Sequence, residues 1–158
     1  MDRIGVVDTM FARFDMGAAA IDELESCPGF GTRFEIEHRT VPGFKDLGVA
    51  CKRLVEQERC RIVVALGMPG KAPIDQVCAH EASQGIMAAQ LMTSTHILEV
   101  FVHEHEEEDP SRLAKVCIDR ARSHARNAYW MLYEPDQLTR RAGQGVRQGY
   151  EDAGPITG

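Results

Sequence analysis

Residues 61–92 read RIVVALGMPGKAPIDQVCAHEASQGIMAAQLM. The first six, Arg61 to Leu66, form an apolar run rich in β-branched residues, the pattern of a strand covered on both faces in a parallel sheet. The next five, GMPGK, cannot continue a strand, because two glycines and a proline punctuate them. After Pro73, residues Ile74, Val77, Cys78, Ala82, Ile86 and Ala89 recur at three- and four-residue steps, which predicts a helix carrying them on one face. Strand, tight loop and helix make one βα unit. In open α/β sheets ligands bind beyond the carboxyl ends of the strands, so GMPGK is the first place to look for a site. An ordinary βα turn without a ligand is the competing reading.

Outward from this unit the same alternation repeats. Arg3 to Asp8 is an apolar run that predicts strand one, followed by a loop with Phe11 and Phe14 and a helix from about Asp15 to Cys27, with Met16, Ala19, Ala20 and Leu24 inward. Thr32 to Arg39 alternates Phe34 and Ile36 with charged residues, as an edge strand does, and Pro42 and Gly43 close it. Phe44 to Glu58 carries a helical stripe of Leu47, Val49, Ala50, Cys51, Leu54 and Val55. Ile97 to His103 predicts strand four. Asp109, Pro110 and Ser111 then start a long helix through Leu132, with Leu113, Val116, Cys117, Ala121, His124, Ala128 and Met131 at helical steps. The order βαβαβαβα implies a four-stranded parallel sheet with right-handed crossovers and helices on both faces.

The 158 residues suit one compact domain, 1–158, in which 135–158 is a glycine-rich C-terminal arm on the surface or onto a neighbour. A net charge of −6 with no stripe of Lys and Arg argues against a DNA or RNA partner. No charged n-region precedes an apolar h-region, and no run of about 18 apolar residues exists, so neither a signal peptide nor a membrane helix is expected. Cys27, Cys51, Cys60, Cys78 and Cys117 lack CxxC spacing and read as reduced, mostly buried residues of a cytoplasmic protein.

Four loops converge on one rim of such a sheet: Asp8 to Phe14, Thr40 to Asp46, Gly67 to Lys71, and His103 to His105. Phe11 offers a flat apolar face to a planar ring, or packs in the core. Thr40, Val41, Pro42, Gly43 and Asp46 offer amides and a carboxylate to hydroxyl groups, although Asp46 is also placed to cap a helix, and Thr9 is a further candidate for substrate binding. Lys71 could meet an anion, but GMPGK lacks the spacing of a phosphate loop. His103, Glu104 and His105 with Glu106, Glu107 and Glu108 form a charge-dense group, either a divalent-ion site or a solvated acidic turn.

Six segments in this order and spacing, VVDTMFAR, TVPGFKDLGVACK, VALGMPGK, VCAHEASQGIMAAQLM, EVFVHE and LTRRAGQGVRQGYEDAGP, resemble the archaeal-type riboflavin synthases, relatives of lumazine synthase. The resemblance covers nearly the whole chain. It implies a flavodoxin-like three-layer α/β sandwich of sheet order 2-1-3-4, assembled as a homopentamer with active sites between subunits. It implies dismutation of two 6,7-dimethyl-8-ribityllumazine molecules, one giving a four-carbon unit to the other, to yield riboflavin and 5-amino-6-ribitylaminopyrimidinedione. It also implies a requirement for magnesium or manganese, with no ligands assigned. Carried over by residue, Phe11 stacks on the ring system, Val41, Pro42, Gly43 and Asp46 hold the ribityl chain, and Met68 and Pro69 contact the rings. His103 with Glu104 stands at the pocket rim, His103 as the proton-transfer group.

Lumazine synthases have a glycine-threonine phosphate loop and a histidine opening helix three. Here the loop is GMPGKAP, with Pro73 in that histidine's place, which favours a substrate without phosphate. The alternatives are a 6,7-dimethyl-8-ribityllumazine synthase, and a non-catalytic flavin or lumazine carrier.

Overall fold

The computed structural model describes residues 1–158. Strands β1 (Asp2–Thr9), β2 (Phe34–Val41), β3 (Ile62–Gly67) and β4 (Ile97–Phe101) alternate with helices α1 (Met16–Glu25), α2 (Leu47–Glu56), α3 (Pro73–Thr93) and α4 (Pro110–Tyr133). A short α5 (Asp136–Arg141) follows. All strand pairs are parallel and the order is β2-β1-β3-β4, the order the resemblance implies. Helices α1 and α4 cover one face of the sheet, and α2 and α3 the other.

Strand β3 organises this packing because all six of its residues are buried. Ile62, Val64 and Leu66 enter the core against α1 and α4, while Val63 and Ala65 enter the core against α2 and α3. Full burial of each such aliphatic side chain contributes roughly 1.5–3 kcal/mol, so a strand that is apolar on both faces stabilises both layers. Helix starts follow local chemistry. The Asp15 carboxylate accepts the Ala18 N–H, and Asp109 accepts those of Ser111 and Arg112 ahead of Pro110.

Four expectations shift. Strand β2 lies two residues later than its alternation predicts, because Thr40 and Val41 stay in the ladder opposite Asp8 and Thr9. Asp15 caps α1 rather than joining it. On α3 the covered face is Ala79, Ala82, Ile86 and Ala89, whereas Ile74 and Val77 are 64% and 54% exposed. Small residues face the sheet there, since α2 packs closely alongside: a methyl group on Gly48 would stand 3.3 Å from the Gly85 backbone. Val49 on α2 likewise faces solvent.

The segment expected as a C-terminal arm runs back along α4 of its own chain. Arg141 lies over the Trp130 ring at 4.4 Å, the Gln148 carbonyl accepts from Arg120 Nε, and the Gly149 N–H donates to Asp119. No helix is long and apolar enough to cross a membrane. All five cysteines are free and four are buried. Burial pushes the Cys51 and Cys60 thiols up to about 12, which keeps them protonated and unreactive.

Candidate active site

The carboxyl ends of the four strands form one rim. Beyond β1 the chain keeps pairing with the end of β2: the Met10 N–H donates to Val41 O and the Phe11 N–H to Pro42 O, at 2.8 and 3.0 Å. This fixes Phe11 beside the loop expected to hold a polyol. Its ring is half exposed and meets Phe44 edge-on, 5.7 Å between centroids, and Phe44 meets Phe101 at 6.0 Å. The row has room only because residue 67 is glycine. A methyl group there would stand 2.9 Å from the Phe101 ring and 3.3 Å from Phe44 Cβ. Phe44 and Phe101 were not among the residues expected at the site, and their one sequence signal is an aromatic at each strand or loop end.

The polar groups of the β1–β2 rim are satisfied by one another. Thr40 Oγ1 donates to Asp8 Oδ1 at 2.5 Å, and His38 Nε2 lies 3.0 Å from Asp8 Oδ2. Thr9 Oγ1 accepts the Ala12 N–H. Asp8, Thr9, His38 and Thr40 line a cavity of about 350 Å³ on the α1 side. Val41 packs toward α2 and α3, since neighbouring strand residues point to opposite faces. The structure therefore groups Phe11, Val41, Pro42, Gly43 and Asp46 on one side of the rim, with Thr9 and Thr40 on the other. Asp46 does cap: its Oδ2 accepts the Gly43 N–H at 3.1 Å, leaving an exposed carboxylate on the aromatic side.

Met68 and Pro69, expected to contact the rings, are both buried. Met68 is 3% exposed and belongs to the α1–α4 core, reaching the surface only in the floor of a cleft of about 110 Å³ with Lys71, Arg13 and Glu104. Pro69 is buried, and its carbonyl accepts the Glu104 N–H. Lys71 is exposed. Glu104, expected beside His103 at the pocket rim, is paired with Arg13.

Strand β4 ends at Phe101 rather than running to His103, which lies two residues beyond it and is half buried. Its N–H donates to Glu106 Oε2, and that oxygen also accepts from Arg120, which bonds Phe101 O as well. Its Nδ1 lies 2.6 Å from Gln76 Oε1, on the first turns of α3. Nε2 makes no hydrogen bond within the chain; since no buried side-chain nitrogen or oxygen lacks a partner, it is open to solvent. Burial holds the imidazole below its ordinary 6.5, with His105 and Arg120 acting in the same direction and Glu106 opposing them. The ring is therefore a neutral acceptor at pH 7.

The acidic run does not converge. Glu104 turns to Arg13, Glu106 to Arg120, and no three His, Cys, Asp or Glu side chains gather as a metal cluster. The donor set of one chain does not fit a divalent ion.

A half-exposed phenylalanine, the loop at 42–46 and an open imidazole thus lie around the rim of a 2-1-3-4 sheet. Residues 2–135 match the family model of 6,7-dimethyl-8-ribityllumazine synthase. The chain belongs to that family. Within it, the chain is similar to a riboflavin synthase of Methanothermobacter thermautotrophicus, 58% identical over 99% of this chain and 100% of that protein. A riboflavin synthase of Methanothermobacter marburgensis is 57% identical over the same shares, and one of Archaeoglobus fulgidus is 44% identical over 98% of each.

Proposed function

We infer that this chain is a riboflavin synthase, an enzyme that converts two molecules of 6,7-dimethyl-8-ribityllumazine into riboflavin and 5-amino-6-ribitylaminopyrimidinedione. The full-length identity to riboflavin synthases supports the reading. One observation separates it from the lumazine-forming activity named by the family model. A phosphate-bearing substrate needs an anion site at the opening of α3, where backbone N–H groups and the helix dipole attract negative charge. Here Asp75, in the first turn of α3, lays its carboxylate against Gly70 of the loop, so closely that a methyl group on Gly70 would collide with it. An anion already of the chain's own making stands where the phosphate would go.

The dismutation consumes no other reactant. One lumazine loses a proton from its C7 methyl, the carbanion attacks the second ring, and a four-carbon unit passes across. Holding two flat rings in opposed orientation is the larger contribution, on the order of 7–11 kcal/mol for near-attack geometry. Phe11 supplies a face for this, and the 42–46 loop with Asp46 holds the ribityl hydroxyls. His103 Nε2 takes the C7 proton, a role contributing about 10²- to 10⁴-fold.

Assembly as a cytoplasmic homopentamer with shared sites is part of the same proposal. Ile74, Val77, Met87, Leu91 and Met92 support it, as apolar residues of α3 that one chain leaves in water. Magnesium or manganese stays in the proposal with no ligand assigned in this chain. Incubation with 6,7-dimethyl-8-ribityllumazine alone is the test. Riboflavin and the pyrimidinedione in equal amounts are expected; consumption only of aminopyrimidine with a four-carbon phosphate, or binding without turnover, would overturn it.

A further inference from the structure

We propose that Gln76 is a positioning residue for this reaction: its side-chain amide fixes the tautomer and direction of the His103 ring, so that Nε2 is the atom presented to substrate. The proposal rests on the reading of His103 as the proton-transfer group.

The tautomer follows from the hydrogen bonds by elimination. Gln76 makes two, one from Nε2 to the Gly70 carbonyl at 2.8 Å and one between Oε1 and His103 Nδ1 at 2.6 Å. A carbonyl only accepts, so the NH₂ of Gln76 must face Gly70, and its oxygen must face the imidazole. An amide oxygen only accepts in turn, so His103 Nδ1 carries the hydrogen. In a neutral ring the other nitrogen, Nε2, then holds the lone pair. That is the nitrogen with no partner in the chain and open to solvent.

Both ends of this relay are rigid. Gln76 sits in α3 three residues after Pro73, whose fixed φ suits the first helical position, and the Asp75 N–H closes the turn onto Ala72 O. The His103 backbone is tied to Glu106, itself clamped by Arg120. Gly70, the acceptor for Gln76, is buried in the GMPGK loop. The loop after β3, the first turns of α3 and the turn after β4 are thereby joined through one amide.

The arrangement conserves its bonds through the proton transfer. When the C7–H bond breaks, its electron pair stays on the lumazine and the proton forms a bond to Nε2. The resulting imidazolium still donates Nδ1–H to Gln76 Oε1, so the ring need not turn to give the proton back. A group in contact with the base rather than the substrate acts on turnover and not on affinity. Loss of comparable partners of metal-bound histidines costs about 10- to 100-fold.

The test uses full-length enzyme labelled with ¹⁵N histidine, the His103 signals being assigned by their absence in His103→Ala. At pH 8 the wild type is expected to show protonated Nδ1 and unprotonated Nε2. Gln76→Leu, close in size, is expected to give mixed tautomers and a kcat about 10-fold or more lower, with KM within twofold. Gln76→Glu retains an acceptor for Nδ1–H and is expected to keep the tautomer while moving the acid limb of the kcat profile upward, its carboxylate adding to Glu106 against His105 and Arg120 around the ring. An Nε2–H tautomer in the wild type, or an unchanged tautomer in Gln76→Leu alongside an inactive His103→Ala, overturns the role of Gln76 alone. A wild-type kcat in His103→Ala overturns the base assignment, and this role with it.

Discussion

Two histidines near the rim of the sheet are held by different partners. His38, on the edge strand β2, turns Nε2 to Asp8, a carboxylate that also accepts from Thr40. His103, after β4, turns Nδ1 to the neutral amide of Gln76 and leaves Nε2 with no partner. The first closes a local network. Each leaves its other ring nitrogen without a partner in the chain, but the second ring is half buried and leans on an amide that carries no charge. Residue type and closeness to the rim do not separate the two; the partner does, a carboxylate shared with Thr40 for the exposed His38 and a neutral amide for the half-buried His103.

The comparison breaks most directly by deletion. His103→Ala is expected to lower kcat about 10²- to 10⁴-fold with KM within a few-fold, whereas His38→Ala stays within about threefold of wild type. Steady-state kinetics on 6,7-dimethyl-8-ribityllumazine measure both, and equal losses would erase the distinction. Next in size is Arg120→Ala. Its guanidinium is largely buried and serves Glu106 Oε2, Phe101 O and Gln148 O, so its removal strands acceptors under His103. A loss of about 2–3 kcal/mol in urea unfolding is expected, with a fall in kcat. Unchanged stability would show that the turn carrying His103 is held elsewhere.

Asp46→Ala sharpens the comparison from the binding side. It is expected to raise KM several-fold with little change in kcat, and to cost about 1 kcal/mol for the lost bond to Gly43. A kcat effect as large as that of His103→Ala would contradict this division of roles.

The smallest effect is a pH dependence of stability. Burial lowers His103 and His124 in the folded chain below their ordinary 6.5. The unfolded chain then binds more protons across the window between the lowered values and 6.5, so stability rises with pH through it. The penalty is full below the folded values and absent above 6.5. Unfolding in urea at pH 5 and pH 7 checks the sign, and the slope should shrink in His103→Gln.

Much of this fold was legible from β3, because an unbroken apolar run such as RIVVAL has few other uses in a chain of this size. Sheet order came from the resemblance, and periodicity alone would have left it open. The sequence misled where two surfaces shared one chemistry. Ile74 and Val77 keep helical spacing with Ala82 and Ile86, yet the first pair faces water and the second the core. Apolar spacing reports that a face is covered, without reporting by what. Phe11 and His103 were candidates from the sequence because of their places after strands. Met68 could not be placed, since a residue that ends a strand can point into either layer. The pairing of Glu104 with Arg13 had no sequence signal, because the two are 91 residues apart. Gln76 had no sequence signal, for a glutamine on a helix is ordinary until the loop carbonyl and the imidazole are seen on either side of it.

The central claim is that His103 Nε2 takes the C7 methyl proton, and exchange of that methyl with D₂O measures this without requiring turnover. Proton NMR of 6,7-dimethyl-8-ribityllumazine at pH 7 should show exchange accelerated by the wild type and by His38→Ala, and none beyond the enzyme-free rate with His103→Ala. Exchange catalysed equally by His103→Ala would contradict the account.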